Sequence, residues 1–502
     1  MCGLTRTGLT VSQKAQLAAS ALAAQEMYGR MTEAATRFAV SRPTVYRARA
    51  DAEQVLTTHY ASETTMAVDE AQIRRTVIAL RVMAPNSLRA IEGLVPIVYP
   101  GVQLSYARIQ EICAEAEAAA RALNAKADLS GIEAAALDEM FSQGAPVLAG
   151  VDLDSGYLFS LALRQSRGAE DWAEVLGAGR DQGLDLRVVV KDAALGIARG
   201  VDAVFPNAEQ RDDCFHVLYA MGKRRQQLER RAFAAIEREF EAEHKLCKAL
   251  GLLTPPDRDV IHSLRQKLNG ARIACGKKMK LHDDFERILF RVQEAMELCD
   301  LERGILRDPA TMQADLHAAA EALIAMADAR CQKLGRYLNN RVPGLVLYAI
   351  ELKKHFDELG MRVGETNVRL ACCIWRLRHD WRLGRRPWDR RRCRNLLFGA
   401  LACLHHSAGP NADQILDTVD ALWQKRHRAS SAIEGFNAFL RPFLYVHKGV
   451  TQGFLELLRA YYNVRMRRWG RHKGTTAHET LRGQPVGDWL THLGYPPSPA
   501  LH

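Results

Sequence analysis

Four carboxylates fall within one apolar stretch, ALDEMFSQGAPVLAGVDLDSGYLFSLAL at residues 136–163: Asp138, Glu139, Asp152 and Asp154, with no lysine or arginine between them. Further on, Asp192 ends the run LDLRVVVKD, Asp213 and His216 stand three apart in DCFH, and Glu434 lies in ASSAIEGFNAFLRPFLYV. An acid inside an apolar strand is costly to bury unless something pairs with it. What neutralises each of these groups decides whether it serves a turn or a reaction, and that depends on the elements holding it.

Turn signals and periodicity sort them. IEAAALDEMF reads as a strand, Ser142-Gln143-Gly144 as a turn and PVLAGVDL as a second strand; Asp154-Ser155-Gly156 is the next turn and YLFSLALRQ a third strand. GAEDWAEVLGAGRDQG has helical spacing, with Trp172, Val175 and Leu176 on one side. The β-branched LDLRVVVKD suits a buried parallel strand, and AALGIARGVDAVFP reads as the helix after it. Side chains alternate along a strand, so Glu139 points away from the face that holds Asp138. Asp154 takes a plain turn role beside Ser155-Gly156.

Three antiparallel strands, a helix and a parallel strand ending in Asp resemble the catalytic core of DDE-type bacterial insertion-sequence transposases and retroviral integrases, within the RNase H-like superfamily; DSGYLFSLAL looks like the integrase hairpin. The resemblance implies an α/β RNase H-like core, a mixed five-stranded sheet with flanking helices. It places one catalytic Asp in the first strand, here Asp138 with Asp152 as the alternative, and a second, Asp192, at the end of the fourth. Those strands are neighbours in that fold, so the two acids would converge on divalent metal ions that offset their repulsion. FPNAEQRDDCFHVLYAMGK resembles the fifth-strand region of several such groups, with its Cys/Asp-x-x-His signature matched by Asp213 and His216. His216 would then orient a phosphate or a catalytic carboxylate; the other reading is a core histidine bonded to backbone.

From about residue 218 to 420 the chain reads as helical, over Ile261–Asn269, Phe285–Leu298, Thr311–Leu334 and Val346–Leu359, with breaks at Pro255-Pro256, Pro309 and Pro343-Gly344. The resemblance implies a helical domain inserted between the second and third acids. Ten arginines lie between Arg369 and Arg394 against only Asp380 and Asp389, interleaved with Trp375, Trp381 and Trp388. This reads as a phosphate-binding strip, with Arg385, Arg386, Arg390, Arg391 and Arg392 as contacts. After it, Ser430 or Ser431 caps a helix whose apolar stripe is Ile433, Phe436, Phe439 and Leu440, while Glu434, Asn437 and Arg441 line up on another side. That helix resembles the one bearing the third catalytic carboxylate of DDE transposases. The Glu434-to-Arg441 interval fits the Glu-x6-Lys/Arg spacing of one group, although the Tyr and Arg which that group places before the Glu are absent. Asn437, Arg441 and Lys448 would grip DNA. NVRMRRWGRHKG follows as a basic exit segment, and TTAHETLRGQPVGDWLTHLG resembles the tail of many bacterial transposases.

Near the start, MTEAATRFAVSRPTVYRARADAEQ carries a helix-turn-helix pattern: Ala34, Ala35 and Phe38 form one stripe, Val40-Ser41 the turn, and Pro43 falls in the next first turn. Val45 faces inward, which leaves Arg42, Thr44, Tyr46 and Arg47 for a major groove and its phosphates. Residues 69–123 read as three further helices. They make either a second DNA-binding module, with Tyr106, Arg108 and Gln110 as contacts, or a structural linker.

A formal charge of +11 over 502 residues favours an anionic partner. Eleven cysteines without a Cys-x-x-Cys pair argue for a reducing cytosol. Cys393, Cys403, His405 and His406 have the donors for zinc, but their spacing fits no standard finger. The opening MCGLTRTGLTVSQK lacks an apolar signal core, and no apolar run approaches about 18 residues, so neither export nor membrane insertion is expected.

The expected organisation is a helix-turn-helix domain at 1–62, a second helical module at 63–128, the first part of the core at 129–217, a helical insertion at 218–420, the second part at 421–475 and a tail at 476–502. The resemblance implies a cytoplasmic, nucleoid-associated DNA transposase in which Asp138, Asp192 and Glu434 bind two Mg²⁺ or Mn²⁺ ions. It would act on double-stranded DNA, the element's terminal inverted repeats and the target, as a dimer or larger assembly. The alternatives are a regulator that kept the fold and lost the chemistry, a structure-selective nuclease on the same fold, and an RNA-processing nuclease.

Overall fold

The computed structural model describes residues 8–24, 29–64, 69–192, 194–251, 254, 256–384, 387–446 and 449–497. At the N-terminus α1 (Val11–Ala23), α2 (Arg30–Arg37) and α3 (Arg42–Thr64) enclose a small core of Leu17, Ala21, Met31, Ala34, Ala35 and Val45. Thr10 and Gln13 cap α1 reciprocally. Between α2 and α3 the chain turns through Ala39 at φ +51°, and the Ser41 carbonyl accepts from the Thr44 and Val45 amides. The helix-turn-helix pattern thus gains a third helix, α1, which the sequence reading did not include.

Next come α4 (Glu70–Met83), α5 (Leu88–Val98) and α6 (Tyr106–Ala125), capped by the side chains of Asp69, Ser87 and Ser105. These are the three helices expected of residues 69–123, the last running two residues further, and Pro96 lies inside α5. They pack into the body of the molecule, as the structural reading of this region expects. Val77, Ile91, Ile109 and Ala116 share one core with a face of the central sheet and with helices near the C-terminus. Arg108 is ion-paired to Glu70 and Glu111, and Arg89 lies over the Tyr106 ring, so two of the three expected contacts are engaged within this layer.

The sheet comprises β1 (Ala134–Ser142), β2 (Ala145–Asp152) and β3 (Leu158–Leu163), then α7 (Ala169–Arg180), β4 (Val188–Lys191), α8 (Leu195–Val204) and β5 (Glu209–Asp212). Its order is β3-β2-β1-β4-β5; β1 runs antiparallel to β2 and parallel to β4, and β4 runs parallel to β5. One face, with Ala135, Leu137, Leu148 and Val189, packs on Trp172 and Leu176 of α7 and Ile197 and Val201 of α8. These helices touch closely: a Cβ on Gly200 would sit 2.4 Å from that of Trp172. The other face, with Ala136, Val147, Ala149 and Leu161, belongs to the core shared with α4–α6.

The insertion holds α9 (Cys214–Leu250), α10 (Arg258–Ala295), the short pair β6 (Cys299–Asp300) and β7 (Ile305–Leu306), α11 (Pro309–Ile324), α12 (Ala329–Asn339), α13 (Val342–Val363), α14 (Glu365–Leu383), α15 (Pro387–Ala408) and α16 (Ala412–Gln424) around a core of its own. Here the sequence reading split α10 into two helices and fused α11 with α12. Pro343 opens α13 instead of breaking the chain, because a missing N–H costs nothing in a first turn. The chain then returns to the sheet through α17 (Ser431–Val446) and α18 (Gln452–Val464), and ends with α19 (Ala477–Arg482) and α20 (Trp489–His492). Among the described residues no helix is long and apolar enough to cross a membrane.

Candidate active site

Parallel pairing of β1 with β4 sets Leu137 opposite Lys191, so the next residues, Asp138 and Asp192, stand side by side where β4 ends. Neighbouring strands lie about 4.8 Å apart, which brings two carboxylates close without any loop to span. Alternation puts Asp138 on the face of Ala136, the one α17 covers. The Asp138 carboxylate accepts from the Glu139 amide at 2.8 Å and from Asn437 Nδ2, on α17, at 2.7 Å. Asp192 is fixed by the Ala194 amide at 2.8 Å.

One helical turn before Asn437, Glu434 faces His216, whose Nε2 lies 3.8 Å from Glu434 Oε1. The other ring nitrogen donates to Asp213 at 2.7 Å. Asp213 is 2% exposed and makes three contacts: it caps α9 through the Phe215 amide, holds His216, and accepts from the Ser430 hydroxyl. The Ser430 carbonyl in turn accepts from the Glu434 amide at 3.0 Å. The DCFH signature therefore occupies the first turn of α9, after β5 and not within it.

The electrostatics tie these groups into one site. Burial pushes the Asp138 carboxyl up to about 6; the charges of Asp192 and Glu434 push the same way, against the donations from Asn437 and Glu139. His216 is raised, first by its bond to Asp213 and further by the fields of Asp138 and Asp192. Three acids from distant parts of the chain thus share one field, with an imidazole that carries a proton readily beside them.

Among the described residues no Lys or Arg is ion-paired to Asp138, Asp192 or Glu434, and no three His, Cys, Asp or Glu side chains are yet drawn close enough to hold a metal ion. The donor chemistry fits hard divalent cations nonetheless: the ligands on offer are carboxylate oxygens that no described Lys or Arg pairs with. Asn437 adds a buried amide oxygen that has no hydrogen-bond partner among the described residues.

Other expected site residues are placed differently. Asp152 belongs to the β2–β3 turn, accepting from the Ser155 amide at 2.8 Å and from its hydroxyl; it pairs with Ala135, three positions along β1 from Asp138. It thus takes the turn role expected of Asp154, which faces His427 at 3.6 Å instead. Asn437, read as a DNA contact, is 2% exposed and spent on Asp138. Glu139 points to the opposite face, as alternation requires, and pairs with Arg167 at 2.7 Å.

For DNA, Arg42, Thr44, Tyr46 and Arg47 are exposed at the start of α3, and Arg441 is exposed on α17. Within the arginine strip, Arg390, Arg391 and Arg392 are exposed on α15. Arg376 is paired with Glu297 and Asp380, Arg378 with Asp420, and Trp375 stacks on Trp423 at 4.2 Å, so the strip's first half is structural. Arg385, Arg386 and Lys448 lie outside the described residues. Cys393, Cys403, His405 and His406 form no metal-holding group; His405 lies 3.8 Å from Asp413. Sequence reasoning had Ser430 only as a helix-cap candidate and missed its bond to Asp213 and the positioning role of Asn437. The one available signal was the i, i+3 spacing from Glu434, which puts the amide on the acid's own face. No protein-family model and no curated protein matches the chain.

Proposed function

We propose that the chain is a DDE-type DNA transposase built on an RNase H-like core, cutting phosphodiesters at an element's ends and joining the freed 3′-hydroxyls to target DNA. One observation carries the reading: Asp138 in β1 and Asp192 directly after the neighbouring parallel strand β4, with Glu434 of α17 acting on the same carboxylate across some three hundred positions of chain. The strand order β3-β2-β1-β4-β5 and a helical insertion placed between the second and third acids support it.

Asp138, Asp192 and Glu434 would hold two Mg²⁺ or Mn²⁺ ions, which when bound supply an activated water or 3′-hydroxyl and charge stabilisation at the phosphate. The chain's own part is positioning. Asn437 and the Glu139 amide keep Asp138 aimed and lower its pKa, and the Ala194 amide fixes Asp192. Asp213 orients His216 so that its second nitrogen can donate to Glu434 or to a phosphate oxygen. The exposed side chains on α3 and α15 would bind the terminal repeats and the backbone, in the cytoplasm and as a dimer or larger assembly on two ends.

The test uses the purified chain with Mg²⁺ or Mn²⁺ and linear DNA carrying both flanks of its own gene. Nicks at defined positions are expected, with joined products when pre-nicked ends are supplied. Asp138→Asn, Asp192→Asn and Glu434→Gln should each reduce cleavage to background while leaving DNA binding intact. Equal activity of the wild type and Asp138→Asn would remove the enzyme reading and leave a DNA-binding regulator. Cutting of branched DNA without joining would point to a structure-selective nuclease.

A further inference from the structure

Residues 425–430 join α16 to α17 and belong to neither helix, so whatever holds them sets where the turn bearing Glu434 stands. Towards the sheet edge, the His427 carbonyl accepts from Arg211 of β5 at 3.2 Å, the Arg428 carbonyl accepts from the Cys214 amide at 3.1 Å, and the Ser430 hydroxyl donates to Asp213. The other anchors lie in the insertion. The Arg428 guanidinium donates to the Met296 carbonyl at 3.0 Å and to Glu297 at 2.8 Å, just past the end of α10, and lies over the Tyr348 ring at 5.6 Å. The Tyr348 hydroxyl donates to the same Met296 carbonyl, and Glu297 is shared with Arg376 of α14 at 3.1 Å. Burial pushes the Glu297 carboxyl up, but the charges of Arg428 and Arg376 outweigh it and leave the group below its usual range. Arg426 lies over the Trp375 ring at 4.5 Å.

A buried ion pair replaced by apolar groups of similar volume often leaves stability unchanged or higher, so stability alone is a weak account of one; what its hydrogen bonds fix is a single geometry. Here that geometry is handed on directly. Two residues after Arg428, the Ser430 carbonyl accepts from the Glu434 amide, so a shift of the connecting segment moves the carboxylate with it. Groups that orient a cation's ligands from behind are typically worth about 10- to 100-fold in metal affinity. We propose that Arg428 and Glu297 are positioning residues: through them the insertion grips the segment before α17 and sets Glu434 against Asp138 and Asp192. This rests on the reading of the three acids as cation ligands, and it gives the insertion a part in that site beyond any contact with DNA.

The full-length protein tests this in two ways. Hydrogen exchange followed by mass spectrometry in EDTA reports how firmly residues 431–437 are held, and Mn²⁺ titration followed by electron paramagnetic resonance reports whether the acids meet. Arg428→Met should speed exchange in that segment roughly tenfold or more and weaken Mn²⁺ binding about 10- to 100-fold. Arg428→Lys should recover part of both. Adding Arg428→Met to Glu434→Gln should weaken Mn²⁺ binding no further, because the arginine acts through that carboxylate. Arg224→Met removes another buried pair of the insertion, with Asp328 at 2.6 Å; it should lower the melting temperature and change neither reading. If Arg428→Met does not fold, Glu297→Gln carries the same comparison. Unchanged exchange, unchanged Mn²⁺ affinity, or equal effects of Arg224→Met would each overturn the inference. A wild type that binds no Mn²⁺ would remove the three-acid reading instead, while exchange in EDTA still decides whether the pair holds α17.

Discussion

Asp138 is destabilising to the fold as long as it stays charged. Its carboxyl titrates near 6 against about 3.9 in an unfolded chain, so between those values the folded state holds a proton that the unfolded state has lost. Linkage then has the contribution of Asp138 to stability highest below about pH 4 and lost as pH rises through 6. Asp138→Asn keeps an oxygen for the Asn437 donor and removes the charge. In EDTA at pH 7.5 it should be more stable than the wild type by about 1–3 kcal/mol in urea unfolding, with the gap closing below about pH 4. Mg²⁺ should raise the wild-type midpoint and leave the variant's unchanged, because only the wild type retains the full carboxylate set. Equal wild-type and variant midpoints at pH 7.5 would mean that Asp138 is not strained by burial. Asn437→Ala removes a donor that lowers the Asp138 pKa, so the acid limb of the cleavage–pH profile should move to higher pH. The acids themselves were legible in the sequence, since strand position and a run-end Asp are local features. The Asn437 contact was not, because 299 residues separate its partners and no local pattern encodes their meeting.

At the scale of elements, the strands were readable because turn chemistry and β-branched runs sit next to one another, whereas helix joints in the insertion were not. Gly270 and Gly276 weaken the local helical signal, yet α10 runs through both, since packing overrides propensity. Close helix contact has sharper consequences. A methyl on Gly200 of α8 would fall 2.4 Å from Trp172 Cβ and 3.2 Å from two backbone atoms of α7, so α8 has to shift. Gly200→Ala should therefore cost about 1–3 kcal/mol, read from the urea midpoint. It should lower cleavage beyond that loss, because α8 begins three residues after Asp192. Gly222→Ala on α9, where a Cβ meets nothing within 4 Å, is the control and should stabilise by up to about 1 kcal/mol. Matching effects of the two substitutions would mean that the α7–α8 contact does not constrain the end of β4.

Over the whole molecule, the cores redraw the boundaries that composition suggested. Periodicity tells which face of a helix is apolar but not what covers it, so α4–α6 were found in the sequence while their partner was not. That partner is the sheet face under Asp138, with α17 and α18. The insertion keeps its own core and is tied to the sheet edge by charge: Arg211 of β5 is buried against Glu209 and Glu351, and Asp212 pairs with Arg341, each at 2.5 Å. The N-terminal three-helix core is a separate cluster. Two truncations follow from this arrangement. A chain beginning near residue 66 leaves every residue of the sheet's two cores in place, so it should melt as cooperatively as the full chain by circular dichroism while losing sequence-specific DNA binding. A chain beginning near residue 129 strips Val77, Ile91, Ile109, Ile112 and Ala116 from one face of the sheet and bares the apolar side of α18. Each lost aliphatic side chain forfeits roughly 1.5–3 kcal/mol of burial, and a few of them exceed the whole stability of a typical domain. That shorter chain should be insoluble or should lack a melting transition; a cooperative melt from it would show that α4–α6 are a detachable module after all.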